Sequence, residues 1–318
     1  DFTKYFFENN QWRVQDTQGN IFTFGVDSSA RQADPQNPSR VYQWMLTKVV
    51  DPNGNAIEYT YSQDHNQAYL DTIRYVFTSP TESLFQIKFQ YLSKSTSSVS
   101  YHSGFPVSTY RLLEHIDVQE NVSSAWVTRK SYVFGYDNTS IPISRLLQVT
   151  QEAQGQTLPP IQFGYYTAGL ATGLLKKAQN NTGGEIYLEY LASTGLPFIV
   201  KTLSKLTYTD MVMGVSSVKN FTYHGGHYFY DPNEVVTREY AGFREVISAE
   251  STGATTKTYF HQSQFASDNS ASANLGEFQD HVSKKGRVWR EEVYDGSNRK
   301  YAQTLNKWEH IPLGNARN

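Results

Sequence analysis

Eight histidines, several paired carboxylates and no cysteine are the material for chemistry in this 318-residue chain. His224 and His227 flank two glycines in HGGH, a spacing from which two imidazoles can reach one metal. Zinc needs further donors, however, and no carboxylate or third histidine stands beside them, so the flanking Tyr and Gly read better as a β-turn. His261, in TYFHQ, falls at a strand end before a polar loop, where imidazole serves local hydrogen bonding more often than proton transfer. His281 lies in a polar segment and carries less still.

The carboxylate pairs Glu185 with Glu189 and Glu291 with Glu292 are the pairs a glycosidase would need to bring together in space. Glu185 and Glu189 are four apart, so on a strand they share a side, and ordinary exposed sheet charges account for them. No GxSxG elbow, HExxH or GxxxxGK[ST] loop occurs, and the Gly-Gly pairs at 183 and 225 read as turns. The sequons at Asn121, Asn138, Asn180 and Asn220 matter only in a glycosylating secretory pathway. The chain therefore reads as a non-enzyme, with no catalytic, metal or cofactor residue assigned and no cofactor expected.

The elements that carry these residues are strands. Tyr, Phe and Trp number 23, 18 and 5, whereas Met is scarce and long helix-forming runs are absent, a balance that favours sheet. The pattern unit is Met45 to Tyr61, where Asp51, Pro52, Asn53 and Gly54 suit the four positions of a type I turn and Ile57, Tyr59 and Tyr61 then alternate with Glu58 and Thr60. Asp16 and Gly19 repeat the Asp-x-x-Gly frame 35 residues earlier, and Arg-Leu-Leu recurs at 111 and 145. Asp51 to Gly54 and Asp16 to Gly19 are both predicted to close antiparallel hairpins.

Further strand pairs are expected around Thr78 to Ser83, Asn121 to Ala125, Gly155, Asn180 to Gly184 and Asp295 to Gly296. The stretch SSARQADPQNPSR reads as a surface loop, the Ser-rich SKSTSSVSYHSGFPV as a connection, Gly214 to Lys219 as non-strand, and Ser263 to Leu275 as a polar loop. Two regions are expected, 1–190 and 191–318, the second continuing the series. A net charge of -2 and a pI near 6.5 offer no general attraction to nucleic acid or anionic membrane. Without a run of eighteen apolar residues no helical membrane span is expected, and Asp1 followed by Phe2 to Phe7 reads as the inside of a strand within a larger protein.

The order of landmarks carries a resemblance. WRVQDTQGNIFTFG, WMLTKVVDPNGNAIEYTY, YLDTIRY, GFPV followed by RLL, NNTGGEIYLEY, EYAGFREV, TYFHQ and GRVWREEVYD follow one another along the chain. Each alone is an ordinary turn or strand; in this order they resemble the Rhs or YD-repeat proteins, and above all the B component of Tc-type toxin complexes. The resemblance implies an all-β fold of successive antiparallel hairpins in an extended, curved sheet, part of a hollow cocoon enclosing a toxic C-terminal polypeptide. It also implies partners in the remainder of the same polypeptide and in other toxin-complex subunits, and a secreted, bacterial location. A carbohydrate-binding or adhesive β module is the alternative, because exposed Tyr and Trp can stack on sugars.

Overall fold

A computed structural model of the chain describes residues 2–137, 143–231, 234–262 and 281–309. The described residues form no α-helix, and the chain divides into two compact units, Asp1–Gln162 and Phe163–Asn318. The expected division after residue 190 falls inside a strand, Gly184–Ala192.

The first unit runs through β1 (Lys4–Glu8), β2 (Gln11–Gln15), β3 (Ile21–Phe24), β4 (Arg31–Asp34), β5 (Asn37–Trp44), β6 (Leu46–Val50) and β7 (Ala56–Asp64). It continues with β8 (Gln67–Ser79), β9 (Glu82–Ser100), β10 (Val107–Val122), β11 (Ala125–Asp137), β12 (Arg145–Ala153) and β13 (Gln156–Thr157); β14 (Ile161–Tyr165) crosses the division. Apart from β4 and β5, which pair with each other, each strand to β12 lies antiparallel to its predecessor in the sheet. β13 and β14 both pair with β12, one strand interrupted at Pro159 and Pro160, which have no N–H for the ladder.

The second unit contains β15 (Leu175–Gln179), β16 (Gly184–Ala192), β17 (Lys201–Asp210), β18 (Val215–Asp231), β19 (Glu234–Glu250), β20 (Thr255–Phe260), β21 (Val288–Tyr294) and β22 (Lys300–Leu305). Each again pairs antiparallel with the next.

Two turn chemistries close most of the hairpins. In the first, Asp51 N–H donates to the Asn55 carbonyl and Gly54 N–H to the Asp51 carbonyl, both at 3.0 Å, while Asp51 Oδ1 accepts from the amides of Asn53 and Asn55. Gly54 lies at φ +86°, where most L side chains are strained, so glycine is favoured there. Asp16 and Asp295 reproduce the backbone frame and the Oδ1 contacts; at Asn180 the N–H likewise donates to the Gly184 carbonyl and Oδ1 accepts from the amides of Thr182 and Gly184. Both predicted Asp-x-x-Gly hairpins are therefore present. The second chemistry is the two-residue loop with positive φ at both positions, at Asn9-Asn10, His65-Asn66, Ser123-Ser124 and Gln154-Gly155. That is the type I′ turn, whose twist matches the strands it joins.

Three expectations are corrected. The polar stretch after Gly25 folds as the β4–β5 hairpin, because Asp27 caps a short 3-10 turn, Asp34 accepts from the Gln36 amide and Arg40, and Trp44 Nε1 donates to the Asn10 carbonyl. Serines 93, 98 and 100 extend β9 and pair with β10, since a neighbouring strand supplies the pairing that serine propensity does not. Val215 to Lys219 is the start of β18, paired with β17. The sequon Asn138 and the loop Ser263 to Leu275 lie outside the described residues.

Candidate functional site

The residues singled out for chemistry are held apart by the strands that carry them. HGGH is not a turn. It lies within β18, where Gly225 adopts φ +63°, and just past Gly226 the register slips because two residues of β19, Ala241 and Gly242, stand against His227 alone, a β-bulge on β19. His224 faces the exposed side opposite Glu245, and His227 sits against the bulge. Among the described residues no three His, Cys, Asp or Glu side chains gather as a metal site would require.

His261 follows β20 and is wholly buried, its ring 6.4 Å from that of Trp289, with its backbone bonded on both sides to Arg287 and Gly286. Gln262 beside it donates to the carbonyls of Gly225 on β18 and Gly242 in the β19 bulge, so this strand end anchors both strands there. His281 caps the 3-10 turn Val282–Lys284, its Nδ1 accepting from the Ser283 amide.

Glu185 and Glu189 share one side of β16, where four residues span about 13 Å. That exceeds the roughly 5–9.5 Å between glycosidase carboxyls. Each instead meets a lysine of a neighbouring strand, Lys177 at 3.2 Å and Lys205 at 2.9 Å. Glu291 and Glu292 are adjacent on β21 and point to opposite faces.

Glu292 is 6% exposed and gathers a network that sequence reading did not anticipate. Tyr294 Oη donates to it at 2.8 Å, Lys300 Nζ at 3.1 Å and Tyr259 Oη at 3.4 Å, while Arg290 stands 3.8 Å away with its guanidinium over the Tyr259 ring. Burial acts to raise this carboxyl, but the bonds from Tyr294 and Lys300 and the two positive charges outweigh it and hold the acid below the ordinary glutamate value. Burial, with Glu245 adding to it, pushes the Tyr259 hydroxyl up to about 12. A locked carboxylate and a phenol that hard to ionise suit a staple between β20, β21 and β22 better than proton transfer at neutral pH.

An open polar hollow between the start of β11 and the β12–β13 turn, bordered by Arg129, Lys130, Glu152 and Gln156, measures about 260 Å³. Small-molecule sites are concave, mostly apolar and typically about 300–1,000 Å³.

What the strands do organise is a pair of faces. In the first unit, Tyr5, Val14, Phe22, Val49, Ile57, Tyr75 and Phe85 stand opposite one another from β1 to β9 in one unbroken apolar row. One residue along, on the other face, Arg13, Thr23, Lys48, Glu58, Arg74, Gln86, Gln119 and Thr128 form an unbroken polar row from β2 to β11. A second polar row, Thr60, Thr72, Lys88, Asp117, Ser131 and Glu152, lies beside it.

The polar rows are knitted sideways. Lys48 bonds Glu58 at 2.8 Å, Gln86 donates to Gln119 at 2.6 Å, Gln119 to Thr128 at 3.0 Å and Ser131 to Asp117 at 2.6 Å. Thr72, Gln86 and Asp117 are consequently less exposed, at 4, 5 and 7%, than the apolar-row residues Tyr5 and Ile57, at 63 and 38%. Parts of the polar face are thus sealed by their own bonds, while Tyr5 and Ile57 on the apolar face still have surface to bury.

A third regularity joins the hairpins. Against the preceding strand, β6, β8 and β10 share a slip of the same kind, at the unpaired residues Thr47, Asp71 and Glu114. The carbonyl just before each bulge, on Leu46, Leu70 and Leu113, accepts a hydroxyl from the following strand, Tyr61 at 2.8 Å, Tyr91 at 2.7 Å and Tyr136 at 2.8 Å. Bulges bend and twist a sheet, and the tyrosines satisfy the acceptors beside them.

Two family descriptions match the chain. Residues 3–141 match the Salmonella virulence plasmid 65kDa B protein, and residues 166–268 match the insecticide toxin TcdB middle/N-terminal region. The chain is Tc-type toxin-related. The two matches fall in the first and second unit respectively. Among solved structures, TcdB2-TccC3-TEV is similar over 92% of this Tc-related chain and 34% of its own at 12% identity, TM-score 0.72. TcdB2-TccC3-Cdc42 is similar over 92% and 35%, also at 12% identity, TM-score 0.71. The N-terminal domain of effector protein SpvB from Salmonella typhimurium strain LT2 covers 48% of this chain and 64% of its own at 19% identity, TM-score 0.44. At such identities the TcdB2 likeness establishes the all-β fold, and the chain spans about a third of those relatives' length. A search of curated proteins found no match.

Proposed function

We propose that this Tc-related segment is a wall element: part of a β-sheet shell that encloses and helps deliver a C-terminal toxic polypeptide, and that performs no catalysis itself. The observation that carries the reading is the pair of unbroken rows in the first unit, apolar from Tyr5 to Phe85 and polar from Arg13 to Thr128. A face whose polar groups bond one another can border a water-filled space without needing a partner, whereas the opposite face gains by packing on further β structure. The toxin-complex relatives support partners of that class; in this reading they are the rest of the same polypeptide and a TccC3-like subunit, in a secreted bacterial setting.

The test uses the full-length protein. Deleting Leu46 to Tyr61 removes β6, its Asp51 turn and most of β7, breaking both rows. The enclosed polypeptide should become sensitive to added protease while keeping its own activity. Protection that survives the deletion, or a full-length chain with nothing enclosed, refutes the wall reading.

A further inference from the structure

We propose that a line of β-bulges on alternate strands is where this wall bends, one bend per hairpin, each held by a side chain from the following strand; the inference rests on the wall reading. In the first unit β6, β8, β10 and β12 carry an extra residue against the preceding strand at Thr47, Asp71, Glu114 and Leu147. In the second, β17 and β21 do so at Ser204 and Trp289, and β19 sets Ala241 and Gly242 against His227.

One residue pair marks these places. In the first unit Leu46 stands opposite Phe24, Leu70 opposite Tyr61, Leu113 opposite Tyr91 and Leu146 opposite Tyr136, and the extra residue follows each leucine directly. In the second, Leu203 opposite Tyr190, Tyr240 opposite Tyr228 and Val288 opposite Phe260 precede the bulges in the same way. The slips at Tyr110, Arg129 and Tyr301 lack such a pair. Within each unit the bulged strands all run in one direction, and each bulges against its predecessor, so a shift of two strands carries one bulge onto the next. Bulges bend a sheet, and bends repeated by translation add instead of cancelling.

The donors show that the bend is held, not merely present. In the first unit the hydroxyls of Tyr61, Tyr91 and Tyr136 reach the carbonyls of Leu46, Leu70 and Leu113. In the second, the aromatic in the matching place after β19 is Phe260, which has no hydroxyl, and Gln262 two residues on donates instead to the Gly242 carbonyl at 3.0 Å. After β21 the indole Nε1 of Trp308 donates to the Val288 carbonyl at 2.8 Å. Three side-chain chemistries thus meet one positional demand: a bulged strand followed by a donor strand is the repeat of this chain.

The experiment uses the full-length protein, with electron cryomicroscopy reading the angle between the β6–β7 and β10–β11 pairs and hydrogen exchange reading the amides beside the bulges. Y61F/Y91F/Y136F removes three hydroxyls and leaves the rings in place, and Gly54→Ala, which strains a turn off the line, controls for lost stability. The triple variant should flatten the sheet across the line and speed exchange beside Asp71 and Glu114 on the order of fivefold, while Gly54→Ala leaves both as in wild type. Trp308→Phe, a single change, should loosen β20 to β22 alone. An unchanged angle and exchange in the triple variant, the same change in Gly54→Ala, or a Trp308→Phe effect spread across the second unit would overturn the proposal. The deletion of Leu46 to Tyr61 decides the wall reading separately: if it exposes the enclosed polypeptide while the triple variant keeps its curvature, the bend line alone is wrong.

Discussion

Replacing Tyr91 by Phe deletes one hydroxyl and nothing else, and the structure says what that hydroxyl does: at 2.7 Å it satisfies the Leu70 carbonyl beside the Asp71 bulge. A neutral bond of this kind contributes about 0.5–1.5 kcal/mol net. Tyr91→Phe should therefore destabilise the first unit by about 1 kcal/mol, a fall of roughly 2–4 °C in Tm for a unit this size. The three stitches also share strands. Tyr61 lies directly opposite Leu70, and Tyr91 directly opposite Leu113, so each tyrosine neighbours the leucine that the next one bonds. Loosening one should weaken its neighbour, and the double variant Y61F/Y91F should cost less than the sum of the singles, with a coupling of at least about 0.5 kcal/mol. Urea unfolding of the four species reads this, with Tyr75→Phe as control, since that ring stacks on Phe85 and its hydroxyl has no bond among the described residues. Burial, then the charge of Asp71, pushes the Tyr91 hydroxyl up to about 12. The neutral form is thus favoured in the fold, and its contribution, complete below pH 10, should be lost as pH rises from 10 through about 12. A Tyr91→Phe effect no larger than the control, or strict additivity, would refute the stitch argument.

Gly54→Ala should cost about 1–2 kcal/mol in denaturant unfolding, although nothing crowds the site, because φ +86° is strained for an L side chain; Gly54→Asn should cost less. Glu292→Ala should destabilise the second unit by roughly 3 kcal/mol, since it strands Arg290 and two tyrosine hydroxyls around a buried gap. The Glu292 carboxyl is held below its ordinary value, so its stabilisation is present above about pH 4.5 and should be lost as pH falls through the depressed folded value, which a pH series on wild type and E292A separates. His224→Ala with His227→Ala should shift stability by no more than about 0.5 kcal/mol, and elemental analysis should find no stoichiometric zinc to lose.

Local chemistry was legible in the sequence wherever one residue type answers one backbone demand. Asp51 with Gly54 and Asp16 with Gly19 announce their turns because an acceptor and a positive φ are needed three residues apart, and Ile57, Tyr59 and Tyr61 reveal a face by period two. Illegible were features that depend on the neighbouring strand. Gly225 and Gly226 read as a turn, yet β18 runs straight through them, paired with β19 on both sides. The polar stretch around Gln32 and Asp34 looked like loop, but both side chains are buried in a hairpin held by bonds such as Gln32 Nε2 to the Asn66 carbonyl, 34 residues away. Glu292 was visible as a carboxylate, but its role rests on Tyr259, Tyr294 and Lys300, which only strand register brings together. The landmark order did indicate the toxin relationship, because a meander preserves sequence order in space.

That meander constrains how such a chain can change. Each strand from β15 to β22 runs opposite to the one before it and is bonded to it. Adding or removing two strands leaves the direction of every later strand unaltered, whereas a single strand would invert all that follow and bring every later turn to the opposite end. Growth by whole hairpins is thus the cheap evolutionary step. Because nearly every ladder joins sequence neighbours, each new pair can also close as soon as it leaves the ribosome, without waiting for distant chain.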